Sequence, residues 1–414
     1  MKAQGAVAAL LIFVLSASMF SAQGSNALMS EVEPSETDQT AQWRFLIYLV
    51  ADNNLDVNAG MFHVSVVEDD FQEFMSVGST DLVVCYVFVD RWEGPANLFK
   101  MHDGWMEEIV GFSLNGEEAN MGDPATLRSF IEYTYEATPA EHTVLMFWDH
   151  GSPNIICSDD NGPEIGVRDS LTHHEVIAAL DGYKVDVIGA DECLVGQIEV
   201  AYEYAKSGVE IDFLLASQTY TGWRGYPYDQ VFAELVENPY MTPRECAIMF
   251  IEQVDILLNE TPIMSEVVNC HAAIDLAMTK VLVASFQTIT SLIYPDMEDF
   301  VQALARARGT SVFQYGAGDA GIIDFRNFVE TLMDLSPSTE VSEACAQVLA
   351  DFDETIVALQ DTHVLEGFVN GLGLKFPQHE FELPNYYSSY AFGSEGWIDF
   401  MELFWTLRGP GKIA

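Results

Sequence analysis

Basic side chains are what this chain has least of: 17 lysines and arginines stand against 64 aspartates and glutamates in 414 residues, a formal net charge of −47 at pH 7. A field of that sign repels nucleic acid and anionic bilayers, so neither is expected as a partner. It attracts cations, basic segments of substrate proteins included. The same acidic, lysine-poor surface keeps a protein soluble in high salt, and the two readings are compatible. No CxxC occurs among the six cysteines at 85, 157, 193, 246, 270 and 345. Their wide spacing argues against a zinc site and against a small stapled scaffold, although an even count in an exported chain invites disulfides. Cys85 sits inside the apolar run 82–89 and reads as a core residue, while Cys193 is compatible with a free thiol even where others pair. After the N-terminus, no segment approaches the roughly 18 apolar residues that span a bilayer. Hydrophobic content of 49% and aromatic content of 12% exclude disorder as the main state.

The first 27 residues read as a secretory signal peptide. Lys2 precedes an apolar stretch over 6–20, and Ala22-Gln23-Gly24 and Ser25-Asn26-Ala27 both offer small-x-small cleavage sites. The mature protein is therefore expected to be secreted or extracytoplasmic, with no membrane span once the signal is removed. Residues 28–42 form an acidic leader carrying Glu31, Glu33, Glu36 and Asp38. Strand-length apolar runs follow at 43–50, 81–90, 142–148, 185–190 and 212–217, alternating with helical segments. Asp123 as N-cap and Pro124 at the first helical position open one of those helices. Such alternation predicts an α/β fold, a mostly parallel sheet sandwiched between helices. The core spans 43–235, and 236–414 is a mainly helical C-terminal region that completes it, with helices over 240–257, 275–294 and 341–359. Late strand or loop elements are expected at 371–377 and 385–392, and no internal repeat is present.

Two of the apolar runs stop abruptly on chemistry. Residues 144–151 read VLMFWDHG and 185–193 read VDVIGADEC. In an open α/β sheet, ligands bind beyond the carboxyl ends of parallel strands. Neighbouring strands that end on His150 and Cys193 would set an imidazole beside a thiol, a pair able to attack a carbonyl. Taken singly, a cysteine after a strand is most often a small core hydrophobe, and a histidine there a capping residue. Together the parts explain each other. Leu194, Ile198, Ala201 and Ala205 recur at helical spacing, so a helix is expected at or just after Cys193, where its dipole would favour the thiolate. His150 serves as base for the thiol or acid for a leaving amine. Gly151 allows close approach of a backbone N–H, which with the Cys193 N–H makes an oxyanion hole, worth several kcal/mol per key donor. Asp191, two residues before the cysteine, is placed to enter the same cleft and select a basic side chain.

Other motifs carry less. Residues 316–321 match G-x-G-x-x-G, but late in the chain, in a helical region and without the βαβ setting that dinucleotide binding needs. Ser158-Asp159-Asp160-Asn161-Gly162 resembles part of a calcium loop, yet Cys157 and Arg168 stand where its first Asp and closing Glu belong. His173 and His174 are adjacent and face different directions, a poor metal pair. No metal site is assigned.

At these residues the chain resembles the clostripain family of cysteine peptidases, relatives of caspases, legumains and gingipains. YLVADNNLD at 48–56, NMGDPATLRSF at 120–130, WDHGS at 148–152, DECLVGQIEVAY at 191–202, GYPYD at 225–229, and the segments 324–328 and 397–404 follow the family's order. The resemblance implies a caspase-like sheet, His150 as catalytic imidazole, Cys193 as nucleophile, and cleavage after Arg or Lys in protein or peptide substrates. It implies no cofactor for the chemistry, although some members depend on calcium. Members are often activated by self-cleavage between the His and Cys motifs. Only Arg168 and Lys184 are basic there, and Lys184 abuts the strand, which leaves Arg168 as the candidate. After the fifth strand many relatives carry acids, whereas this chain reads Ser217-Gln218-Thr219-Tyr220-Thr221 with Arg224 nearby, leaving Asp191 and Asp229 as the specificity acids. The alternative is a catalytically inactive exported binding protein on the same fold, gripping basic peptides; an intact His/Cys pair separates the two.

Overall fold

Strand-forming sequence is concentrated where β-branched and aromatic residues run without a break. The computed structural model describes residues 40–57, 66–222, 224–260, 269–311, 321–361 and 368–409. Its strands are β1 (Ala41–Ala51), β2 (Val83–Arg91), β3 (Asn97–His102), β4 (Trp105–Glu108), β5 (Ala140–Trp148), β6 (Ile155–Glu164) and β7 (Val167–Thr172). They continue with β8 (Lys184–Asp191), β9 (Glu210–Ser217), β10 (Cys270–Asp275), β11 (Ile322–Asp324), β12 (Ile356–Asp361) and β13 (Gly373–Lys375). One nine-stranded sheet has the order β12-β10-β9-β8-β5-β1-β2-β3-β4. Its centre, β9-β8-β5-β1-β2, is parallel, and antiparallel strands extend both edges.

Burial on both faces is what a parallel sheet requires, and alternation sorts the side chains. Leu46, Tyr48, Phe88, Leu145, Phe147 and Ile188 enter one apolar core. Phe45, Ile47, Leu49, Val87, Val144 and Met146 enter the other. The first core is covered by helices including Pro124–Ala137, Ile198–Lys206 and Leu276–Ile293, the second by Val66–Val77, Tyr228–Glu237 and Pro243–Glu260. Each fully buried aromatic or branched side chain contributes about 1.5–3 kcal/mol of transfer free energy. As expected, Asp123 caps the helix Pro124–Ala137, its side chain accepting from the Ala125 N–H.

Four expectations need correction or fall outside the described residues. The 1–27 signal and most of the 28–42 leader lie outside them, as does most of the 316–321 glycine motif; β1 begins at Ala41, inside the expected leader. The helix expected over 341–359 ends at Thr355, because Ile356–Asp361 pairs with β10 as a strand. With β10, that strand makes the 236–414 region part of the sheet as well as a source of helices. Finally, a helical stretch long and apolar enough to cross a membrane does occur, at Leu276–Thr310. In this fold its first helix turns Leu276, Leu282, Val283, Phe286, Ile289 and Ile293 inward.

Candidate active site

The register of two adjacent parallel strands builds the site. Trp148 of β5 lies opposite Asp191 of β8, at the carboxyl ends of both. His150 and Cys193 each stand two residues further on, so they share one edge of the sheet. Both line a single cavity of about 170 Å³, whose wall also includes Leu55, Val66, Trp148, Asp191, Thr221 and Gly225. A larger groove of about 700 Å³ lies elsewhere, between the helices Tyr228–Glu237 and Pro243–Glu260. Glutamates and apolar side chains line it, without a nucleophile.

His150 is exposed, and its Nε2 lies 2.9 Å from the Asn54 side-chain oxygen. Against a carbonyl oxygen Nε2 carries the hydrogen, which leaves Nδ1 as the proton acceptor. Desolvation lowers the imidazole pKa; Arg168 lowers it further and Asp160 raises it. His150 is thus a neutral base at rest.

Cys193 departs from expectation in one respect. The helix after it starts at Ile198, not beside the thiol. Tertiary hydrogen bonds claim the intervening backbone: the Leu194 N–H donates to Thr219 O at 2.8 Å and the Gly196 N–H to Ser217 O at 2.8 Å. Leu194 adopts φ 62°, a left-handed conformation uncommon outside glycine that fixes the turn after Cys193. The expected dipole assistance therefore does not reach the sulfur. Burial raises the thiol pKa, offset in part by the Thr221 hydroxyl (3.4 Å) and the Thr221 N–H (3.3 Å).

Gly151 packs against the turn that carries Cys193. A Cβ there would stand 2.7 Å from the Glu192 Cβ and 2.8 Å from the Cys193 carbonyl oxygen. No side chain larger than hydrogen fits without moving Glu192 or the Cys193 backbone.

Beneath the pair lie two carboxyl groups that sequence reasoning missed. Asp149 is buried and accepts from the Asn53 amide at 2.6 Å, from the Ser158 N–H and from the His150 N–H. Glu192 is fully buried; its Oε1 faces the Cys157 N–H at 3.3 Å and Sγ at 3.4 Å, while Oε2 has no partner. Desolvation raises both pKa values, and each carboxyl raises the other or is raised by further acids nearby. With three donors Asp149 is the better-supported anion, so Glu192 holds a proton.

Asp191 enters the cavity wall as expected. Its Oδ2 accepts from the Tyr226 N–H at 3.1 Å and the Tyr228 hydroxyl at 2.9 Å. Burial raises its pKa to about 6. Gly225, at φ 57°, packs so closely that a Cβ would stand 2.1 Å from that carboxylate. Asp229 is not in the cavity wall. Tyr228 intervenes, and Asp229 opens the helix Tyr228–Glu237 beside Glu73, whose pKa it helps to raise.

Arg168 was expected in an open polar loop; it lies instead in the β6–β7 hairpin, one residue past the turn. There it pairs with Asp160 at 2.5 Å. The calcium-like segment is also spent on protein partners. Asp159 accepts from the Met121 and Asn161 N–H groups, Asp160 from Arg168, and Asn161 donates to Asp52. Among the described residues no group of three or more His, Cys, Asp or Glu side chains is arranged to hold a metal. All six cysteines are free, and all but Cys193 are buried. His173 bonds Tyr204 and His174 bonds Glu203, in different directions.

Comparison with known proteins agrees with this architecture. The chain is 36% identical over 129 residues to clostripain of Hathewaya histolytica, a stretch covering 28% of this chain and only 24% of that relative. A secreted C11 cysteine protease from Bacteroides thetaiotaomicron, solved with an irreversible peptide inhibitor, superposes with a TM-score of 0.64 at 15% identity, covering 86% of this chain and 98% of that one. An inactive zymogen C11 protease from Parabacteroides distasonis gives 0.63 at 16% identity, covering 86% and 98%. At such identities these two establish the fold alone, a mostly parallel sheet between helices. The family model for clostripain, peptidase family C11, matches residues 47–397, and the chain belongs to that family.

Proposed function

We infer that this clostripain-family peptidase is an exported cysteine endopeptidase that cuts protein or peptide substrates after Arg or Lys. The observation that supports it most is the Trp148–Asp191 register, which sets His150 and Cys193 at one sheet edge in the wall of one cavity. His150 Nδ1 takes the Cys193 proton as Sγ bonds to the scissile carbonyl carbon. The N–H groups of Gly151 and Cys193 receive the developing oxyanion. The C–N bond then breaks, and the leaving amine takes the proton from His150. Water, deprotonated by His150, hydrolyses the thioester and frees the thiol. Thiol and imidazole suffice for this sequence without a cofactor. Asp191 supplies negative charge for a basic P1 side chain.

The test is a panel of fluorogenic peptides varied at P1, run on wild type, Cys193→Ala and His150→Ala. Both variants should lose turnover and still unfold cooperatively, since neither side chain lies in the packed core. Near-wild-type hydrolysis by Cys193→Ala would mean a different nucleophile. Self-cleavage after Arg168 belongs to the same reading. The residue is exposed and close enough to His150 to act on its titration. Cutting the 168–169 bond requires β7 to leave β6. Wild type should run as two fragments where Cys193→Ala stays whole; an active, uncut wild type removes this step alone.

A further inference from the structure

Behind the wall of the cavity stands a second carboxyl group that substrate never touches. Asp70 lies on the helix Val66–Val77, whose Val66 lines the cavity. Its side chain is 2% exposed, and its Oδ2 accepts the Trp148 indole N–H at 2.6 Å. Trp148 is itself in the cavity wall beside Asp191. Asp70 thus sits at the N–H edge of a ring that lines the site, almost wholly out of contact with solvent. The groups that face it are acidic or neutral: Asp191 from β8, Glu73 and Asp69 from its own helix, Trp148 from β5, and the Tyr228 phenol from the helix Tyr228–Glu237. Glu73 in turn accepts the Tyr228 N–H at 2.9 Å and is opposed by Arg224.

Such an arrangement is costly in an empty site. Asp70 and Asp191 repel each other across a low-dielectric wall, and burial disfavours the charge on each. A cation entering the cavity reverses that balance, because it is attracted by both. Asp191 alone is a modest attractor, since one of its oxygens is already shared between the Tyr226 N–H and the Tyr228 hydroxyl. The 217–221 loop, which reaches the cavity through Thr221, contributes no acid.

We propose that Asp70 is a specificity-determining residue of the P1 site: screened from substrate by Trp148, it acts with Asp191 as a second negative charge that selects a cationic P1 side chain, and it shares a proton that this cation displaces. The inference rests on reading the cavity as a site for Arg or Lys. It is a positioning role, exerted through Asp191 and Trp148.

The test compares two peptides that differ only in P1 arginine or citrulline, its neutral isostere, on wild type, Asp70→Asn and Asp70→Ala. Asparagine keeps an oxygen for the indole N–H and removes the charge. The arginine-to-citrulline ratio of kcat/KM should fall about tenfold in Asp70→Asn at pH 8, mainly through KM, with citrulline turnover unchanged. The dyad's own titration cancels in that ratio. Its acid limb should also move to lower pH, because the ionisation of Asp70, raised by burial and by Asp191, no longer contributes to it. If Asp70→Asn keeps both ratio and limb while Asp70→Ala loses activity, Asp70 merely holds Trp148 and the proposal fails. A wild type with no preference for arginine over citrulline removes the P1 reading itself, and this inference with it. Should Asp70→Asn not fold, calorimetry of the arginine peptide binding to Cys193→Ala in buffers of different ionisation heat gives the answer. Net proton release at pH 8, where Asp191 with its pKa of about 6 is already ionised, supports the proposal, and none overturns it.

Discussion

Replacing Glu192 with glutamine should shift stability in the variant's favour as pH rises from acid to neutral. The side chain is fully buried, one oxygen has no partner, and the neighbouring Asp149 opposes a second negative charge. Burial and that repulsion both raise its pKa from an ordinary glutamate value of 4.5. A group raised in this way stabilises the fold below its unfolded pKa, and that contribution is lost as pH rises towards the folded value. Each pH unit above the unfolded pKa over which the carboxyl stays protonated costs at most about 1.36 kcal/mol. Glutamine has the same shape, still accepts the Cys157 N–H, and carries no proton to lose. Its amide brings about 1–3 kcal/mol of its own if left unpartnered, but that penalty is the same at every pH. Urea denaturation of both proteins at pH 4.5 and 7.5 isolates the electrostatic part. The stability difference between variant and wild type should move in the variant's favour across that interval, by up to about 1.36 kcal/mol per pH unit, with the m-value unchanged. A difference that does not vary with pH would mean that Glu192 is ionised in the folded state, and would refute the assignment of the proton.

Other carboxyls extend the same argument to the whole protein. Burial raises Asp90 to about 8, Asp159 to about 7 and Asp324 to about 6. Their sign is that of Glu192, so the contribution of these groups is fullest below pH 4 and declines as pH climbs through 6 to 8; thermal melts across that range should show Tm falling for this reason, and a flat profile would contradict it. Gly225→Ala should cost about 1–2 kcal/mol from its left-handed backbone alone. By pressing on Asp191 it should also raise KM for arginine peptides more than it lowers kcat; an unaffected KM would mean that Asp191 does not serve the cavity.

How far the sequence carries this site depends on which interactions are local. The strands leading to His150 and Cys193 were legible because unbroken apolar runs of strand length ending on polar residues have few alternatives in a parallel sheet. The helix start after Cys193 was not. Leu194 opens a helical spacing, but the Leu194 and Gly196 N–H groups meet the carbonyls of Thr219 and Ser217, a pairing that no local window contains. The same limit hid β12, where Ile356 to Leu359 continue the apolar pattern of the preceding helix until β10 claims their backbone. Asn54 and Thr221 come to His150 and Cys193 from 96 and 28 residues away, and nothing in their own neighbourhoods marks them. Asp70 differs, because its signal is local. It falls on the buried face of an amphipathic helix with Val66, Val67, Phe71 and Phe74, a position where an aspartate contradicts the pattern around it. A carboxylate at such a place must find either a partner or a proton. Glu192 carries no such signal, because it follows β8 in a polar run and only the tertiary fold buries it. In a chain with 64 acidic residues, most of them solvated, the informative ones are the few that interrupt an apolar face.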